Sequence, residues 1–81
     1  MTADQVLHKL NEIFQEVFDD DDLAIKPDYS AGDVDGWDSL THIRMLLTVE
    51  KTFGVKFSTS EVGQLQTVGD LVRLIQSKAR A

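Results

Sequence analysis

The sequence predicts an all-α fold, a four-helix bundle of three longer helices and one short helix, with a long first loop. Apolar residues recur at helical spacing in three segments, and each segment begins next to a side chain that can cap a helix. The alternation typical of strands is absent outside one short connector. Because 81 residues provide for one modest core, a single domain spanning residues 1–81 is expected.

The first helix is predicted from about residue 3 to residue 18. Apolar residues recur three or four positions apart over most of this segment, and Thr2 with Gln5 three positions on forms a capping box. The four aspartates at 19–22 place negative charge at the negative end of the helix dipole. They therefore help to end the helix.

The segment 19–37 is predicted to be a long loop that packs on the core. Pro27 prevents an early restart of the helix, and several aspartates alternate with apolar side chains. We expect Tyr29 and Trp37 to anchor the loop to the core. Loops of this length in compact domains are uncommon and tend to be functional or strongly tethered.

The second helix is predicted to begin just after Asp38, whose carboxylate can cap its free N–H groups, and to run to Phe53, with Gly54 ending it. Ser39 then lies at the start of this helix. An extended connector over 55–57 follows.

Two further helices are predicted in the last third of the chain. The short helix begins at Ser58 or Thr59, either of which can cap it. The final helix begins at Thr67, which with Asp70 three positions on can form a second capping box.

The second predicted helix carries two apolar stripes, which is more than a helix in a small bundle usually buries. At about 100° per residue the two stripes are separated by roughly 130°. We expect the second stripe to be partly exposed and available to a partner, and burial of both stripes in a central helix is the alternative. The first stripe consists of Met45, Leu46, Val49 and Phe53, and the second of Leu40, Ile43 and Leu47.

Composition and charge limit the classes of partner. The net charge of −6 disfavours nucleic acid and anionic lipid, so we expect partner proteins with basic patches. The absence of cysteine excludes disulfides and thiolate zinc sites, and no run of about 18 apolar residues is present. A cytoplasmic monomer without membrane insertion is expected.

The motif Gly36-Trp37-Asp38-Ser39-Leu40, at the start of a helix after a long acidic loop, resembles the Asp-Ser-Leu attachment motif of acyl carrier proteins. Helix order and the position of the motif extend the resemblance over the whole chain. It implies that the Ser39 hydroxyl takes 4′-phosphopantetheine from coenzyme A through a phosphopantetheinyl transferase. The arm then holds acyl intermediates as thioesters in fatty acid, polyketide or related biosynthesis, and the carrier itself is not an enzyme.

The resemblance also implies roles for the neighbours of Ser39. Asp38 helps the transferase and its magnesium ion to engage the serine. A partner-binding surface for acyl-loading, chain-modifying and transferring enzymes with basic docking patches comprises Leu40, Ile43, Leu47 and Glu50. An anionic phosphodiester is also physically favoured at the start of a helix, where the dipole is positive and N–H groups are unpaired.

Some positions depart from the pattern of carriers that serve primary fatty acid synthesis. Those carriers are usually acidic just after the motif, whereas this chain has Thr41, His42 and Arg44 there, and Trp37 stands where a small residue is common. These departures favour a discrete carrier of a specialised pathway, such as polyketide, nonribosomal peptide, modified lipid or surface glycan assembly.

Other interpretations of the same residues remain. The chain could be a peptidyl or aminoacyl carrier, or an unmodified acidic helical module that binds partner helices. A catalytic pair of Ser39 and His42 is disfavoured because no orienting carboxylate or oxyanion site accompanies it. His8 and His42 are expected at the surface, and no metal site is predicted. Whether an acyl chain enters the bundle is open, since Phe53 and Phe57 can fill that space.

Overall fold

The computed structural model describes residues 2–78 and contains four α-helices within that range. In chain order the helical segments are α1 (Ala3–Val17), a 3₁₀ turn (Ala31–Asp33), α2 (Ser39–Phe53), α3 (Thr59–Gly63) and α4 (Val68–Lys78). No strand occurs between residues 2 and 78. The predicted all-α fold with three longer helices and one short helix is confirmed. The 3₁₀ turn within the long loop was not anticipated.

The helices begin at the predicted capping residues. Thr2 Oγ1 accepts the Gln5 N–H at 3.1 Å, and Gln5 Oε1 accepts the Thr2 N–H at 3.0 Å. Ser58, rather than Thr59, caps α3, and Gly54 ends α2 with a left-handed φ of 67°. Each reciprocal pair satisfies two backbone donors that a helix start otherwise leaves unpaired.

One apolar core joins the three longer helices. Helix α1 contacts both α2 and α4, and the buried side chains of all three meet between them. The burial of this core stabilises the fold and leaves one face of α2 outside it. The side chains with no more than trace exposure are Val6, Leu10, Phe14, Met45, Val49, Val68 and Ile75.

The long loop between α1 and α2 is tethered to α1 by side-chain hydrogen bonds. Asn11 Oδ1 accepts the Ile25 N–H at 2.7 Å, and Gln15 Nε2 donates to the Leu23 carbonyl at 2.9 Å. Ile25 is itself buried in the core. The loop is therefore packed, as the sequence predicts.

The same loop is joined to the start of α4 by backbone hydrogen bonds. The Gly69 N–H donates to the Pro27 carbonyl at 2.7 Å, and the Val68 N–H donates to the Tyr29 carbonyl at 2.9 Å. A Cβ atom on Gly69 would lie 3.0 Å from the Pro27 oxygen. Glycine at this position therefore permits the close approach of loop and helix.

Candidate functional site

Ser39 is the first residue of α2 and its side chain is exposed. Asp38 directly before it is the N-cap: Asp38 Oδ1 accepts the Thr41 N–H at 3.0 Å, and Thr41 Oγ1 accepts the Asp38 N–H at 2.9 Å. Hydrogen bonds from the Thr41 backbone and side chain lower the pKa of Asp38. Its carboxylate is therefore ionised at neutral pH, beside an exposed hydroxyl at the positive end of a helix.

Trp37 and His42 form a hydrogen-bonded pair beside Ser39. The Trp37 Nε1–H donates to His42 Nδ1 at 3.0 Å, and the two rings stack with centroids 5.9 Å apart. The edge-to-face contact of Trp37 with Phe14, at 5.2 Å and 87°, joins the pair to the core. Trp37 is thus a loop anchor, as predicted.

His8 is exposed as expected, whereas His42 is only partly exposed. His42 is half-buried because its ring stacks on Trp37, and this burial lowers its pKa. With Nδ1 accepting from Trp37, neutral His42 carries its proton on Nε2. The orienting carboxylate of a catalytic serine–histidine pair has no counterpart here, since Trp37 occupies that nitrogen.

A cavity of about 490 Å³ opens beside Ser39. Trp37 and His42 line it at the start of α2, and Met45 and Leu71 line it toward the core. Phe53 and Phe57, which the sequence made candidates for filling such a space, are not among its lining residues. An open recess next to the serine is therefore large enough for part of a flexible chain.

Helix α2 has one buried and one exposed apolar face. Met45, Leu46 and Val49 are buried in the core. The exposed fractions of the second stripe are 67% for Leu40, 56% for Ile43 and 54% for Leu47. The predicted exposure of the second stripe is confirmed, and the alternative in which the helix buries both stripes is wrong.

Glu50 is half-buried at the edge of this exposed stripe. One of its oxygens, Oε2, accepts the Phe57 N–H at 2.8 Å and so joins α2 to the extended connector. Nothing local in the sequence signals this bond, because the two residues are seven positions apart and belong to different elements. The partner-binding role given to Glu50 by the resemblance stays a prediction, beside this structural one.

Two kinds of feature do not occur in the described part of the chain, residues 2–78. There is no group of three or more histidine, aspartate or glutamate side chains that could hold a metal ion. No helix there is long and apolar enough to cross a membrane.

Comparison with known proteins identifies the family. The family model of the phosphopantetheine attachment site matches residues 8–75. The acyl carrier protein of Lactobacillus johnsonii is 31% identical over 78 residues, covering 95% of this chain and 96% of that protein. The chain belongs to the acyl carrier protein family. It is therefore an acyl carrier with a 4′-phosphopantetheine prosthetic group, and it interacts with a phosphopantetheinyl transferase and with biosynthetic enzymes.

Further relatives support the same assignment. The meromycolate extension acyl carrier protein of Mycolicibacterium smegmatis is 32% identical over 75 residues, covering 93% of this carrier and 76% of that protein. The solution structure of a holo acyl carrier protein from Geobacter metallireducens superimposes with a TM-score of 0.85 at 40% identity. That match covers 90% of this carrier and 84% of the Geobacter chain.

Proposed function

We propose that Ser39 is the attachment residue of the phosphopantetheine arm. The observation that carries this proposal is the exposed Ser39 hydroxyl at the first position of α2, directly after the ionised Asp38. The positive end of the helix dipole and unpaired N–H groups stabilise the phosphodiester that forms there. Asp38 is the residue through which the transferase and its magnesium ion engage the serine, because its ionised carboxylate is an oxygen ligand of the kind that Mg²⁺ prefers.

The carrier performs no chemistry itself and presents its cargo to partner enzymes. Leu40, Ile43 and Leu47 form the partner-binding surface, with Glu50 at its edge. Their exposure supports this role, because large exposed apolar side chains in one stripe are typical of contact sites. The net charge of −6 favours the approach of basic partner surfaces.

The cavity beside Ser39 receives part of the arm or of the acyl chain. Its apolar walls at Met45 and Leu71 suit a hydrocarbon segment, while Trp37 and His42 line the part next to the arm. The identity of the residues after Ser39 favours a discrete carrier of a specialised pathway.

The carrier is proposed to work as a cytoplasmic monomer, with residues 1–81 as one carrier domain. The absence of cysteine is compatible with a reducing compartment, and the reactive thiol comes from the arm rather than from the chain.

Mass spectrometry tests the attachment residue. The protein is incubated with coenzyme A, magnesium and a broad-specificity transferase, and one phosphopantetheine addition is expected. Ser39→Ala should abolish the addition, and Ser60→Ala, at an exposed serine of α3, should retain it. An unmodified wild type, under conditions that modify a control carrier, would refute the proposal and favour the unmodified interaction module.

A further inference from the structure

We infer that the enzymes acting at Ser39 bind α2 through an apolar recess rimmed by carboxylates. This inference rests on the proposed attachment at Ser39 and concerns the charge of the surface beside it. We define the α2 docking face as Leu40, Ile43, Arg44, Leu47 and Lys51. Two of these five residues are cations, and Glu50, the acid of α2, borders the face next to Ile43.

Helical geometry places both cations along one edge of the exposed apolar stripe. At about 100° per residue, Arg44 and Lys51 lie roughly 40° and 20° from Leu40 around the helix axis. Glu50 lies on the opposite edge, next to Ile43, about 80° from Leu40. Arg44 and Lys51 are both exposed. A partner that covers the stripe therefore meets the two cations along one edge and Glu50 at the other.

Neither cation is neutralised within residues 2–78. Arg44 and Lys51 have no acidic partner there, whereas Lys78 pairs with Glu61 at 3.0 Å. Lys51, in the last turn, also stabilises the negative end of the helix dipole. Arg44 lies in the middle of α2, so the dipole does not account for it.

The acidity of the chain is located elsewhere. Eight of the fourteen acidic residues are aspartates between positions 19 and 38, and α2 contains only Glu50. One oxygen of that carboxylate already accepts the Phe57 N–H. Basic patches on a partner therefore fit the acidic loop, and they do not fit the α2 docking face.

An enzyme whose contact extends from Ser39 along α2 covers the whole face. With a rise of about 1.5 Å per residue, Arg44 lies about 7.5 Å and Lys51 about 18 Å along the helix from Ser39. A standard interface buries about 800 Å² on each partner, which is a disc roughly 30 Å across. Covering a charge without a counter-charge costs desolvation energy. A partner with carboxylates opposite the two cations avoids this cost and is therefore favoured.

Charge reversal tests this inference with opposite outcomes for acidic and basic partners. The probe is the phosphopantetheinyl transferase of the source organism, assayed by initial rates with coenzyme A and magnesium. Arg44→Glu/Lys51→Glu should lower kcat/KM at least about tenfold, because like charges would face each other across the interface. The control Lys9→Glu/Lys26→Glu changes the net charge equally at two exposed residues outside α2, and should change kcat/KM less than about twofold.

A neutral variant tests whether the loss of rate comes from the charges rather than from damage to the helix. Arg44→Gln/Lys51→Gln removes the charges without adding like-charge repulsion, and should give an intermediate loss with an unchanged helical circular dichroism spectrum. A charge-reversed variant that is modified as fast as the wild type, or faster, overturns the inference. A wild type that is never modified at Ser39 overturns the proposed function instead, so the two failures are distinguishable.

Discussion

Replacing Glu50 with alanine tests whether its carboxylate holds the connector after α2 in place. The perturbation removes the acceptor of the Phe57 N–H, which is 2.8 Å from Glu50 Oε2 in a partly buried position. Alanine is at least as good a helix former as glutamate, so the helix itself loses nothing by the change. Any loss of stability therefore reports on the contact between helix and connector.

The structure sets the size of the effect. A hydrogen bond to a charged group contributes about 1.5–3 kcal/mol net, and the better helix propensity of alanine offsets a few tenths of this. We expect Glu50→Ala to lower the free energy of unfolding by about 1.5 kcal/mol. For a domain of this size, that loss lowers Tm by about 6–12 °C. Glu50→Gln retains a neutral acceptor oxygen and should lose about half as much.

Two measurements check the prediction. Urea and thermal unfolding followed by far-UV circular dichroism give the stability of each variant. Amide hydrogen exchange at Phe57 reports the bond directly, and protection should be lost in Glu50→Ala and largely kept in Glu50→Gln. Thr52→Ala, at an exposed position of the same helix, is the matched control and should change stability by no more than about 0.5 kcal/mol.

Equal stability of Glu50→Ala and wild type, with unchanged exchange at Phe57, would refute the structural role. The partner role of Glu50 is read separately, from transfer kinetics. A lower kcat/KM for Glu50→Gln at a temperature where it is fully folded would support that role, because the connector is then still in place.

The structure predicts the direction in which two further substitutions change stability: His42→Gln changes its pH dependence, and Gly69→Ala changes its size. Burial lowers the pKa of His42 in the folded protein below its ordinary value of 6.5. As the pH falls below about 6.5, the unfolded chain therefore takes up a proton at this histidine more readily than the folded protein does. The stability that is fully present above about pH 6.5 is lost as the pH falls through the lowered pKa. His42→Gln should therefore narrow the difference in unfolding free energy between about pH 7.5 and about pH 5.5, whereas an unchanged difference would contradict this reasoning. Gly69→Ala should destabilise the fold by about 1 kcal/mol. A Cβ 3.0 Å from the Pro27 oxygen pushes the loop away from the helix, and this costs more free energy than the better helix propensity of alanine returns. Gly63→Ala, whose Cβ meets nothing within 4 Å, should instead stabilise in urea unfolding, and stabilisation by both alanines would show that loop and helix separate freely.

The features that could be predicted from the sequence are those whose partners lie within one helical turn. Thr2 with Gln5, and Thr67 with Asp70, are three positions apart, so their capping boxes are visible in the sequence itself. The exposed stripe of α2 followed from helical spacing for the same reason. Ser39 could be singled out because its motif occupies consecutive positions.

The features that escaped prediction depend on elements that meet only in the folded chain. The contact of Gly69 with Pro27 joins residues 42 positions apart, and no periodicity connects them. His42 lies three residues after Ser39 on α2, which indicates exposure, but the neighbouring loop places Trp37 over its ring. Such contacts need the path of the long loop, which depends on Asn11 and the start of α4.

The two faces of α2 separate the requirements of folding from those of recognition. Met45 and Val49 are fully buried and join the helix to the core, while Trp37 packs on Phe14 and holds the residue before Asp38 in place. The exposed stripe and its flanking cations contribute little to that core, because surface substitutions usually change stability by less than about 0.5 kcal/mol. The docking face can therefore differ in charge from that of other carriers at almost no cost to the fold.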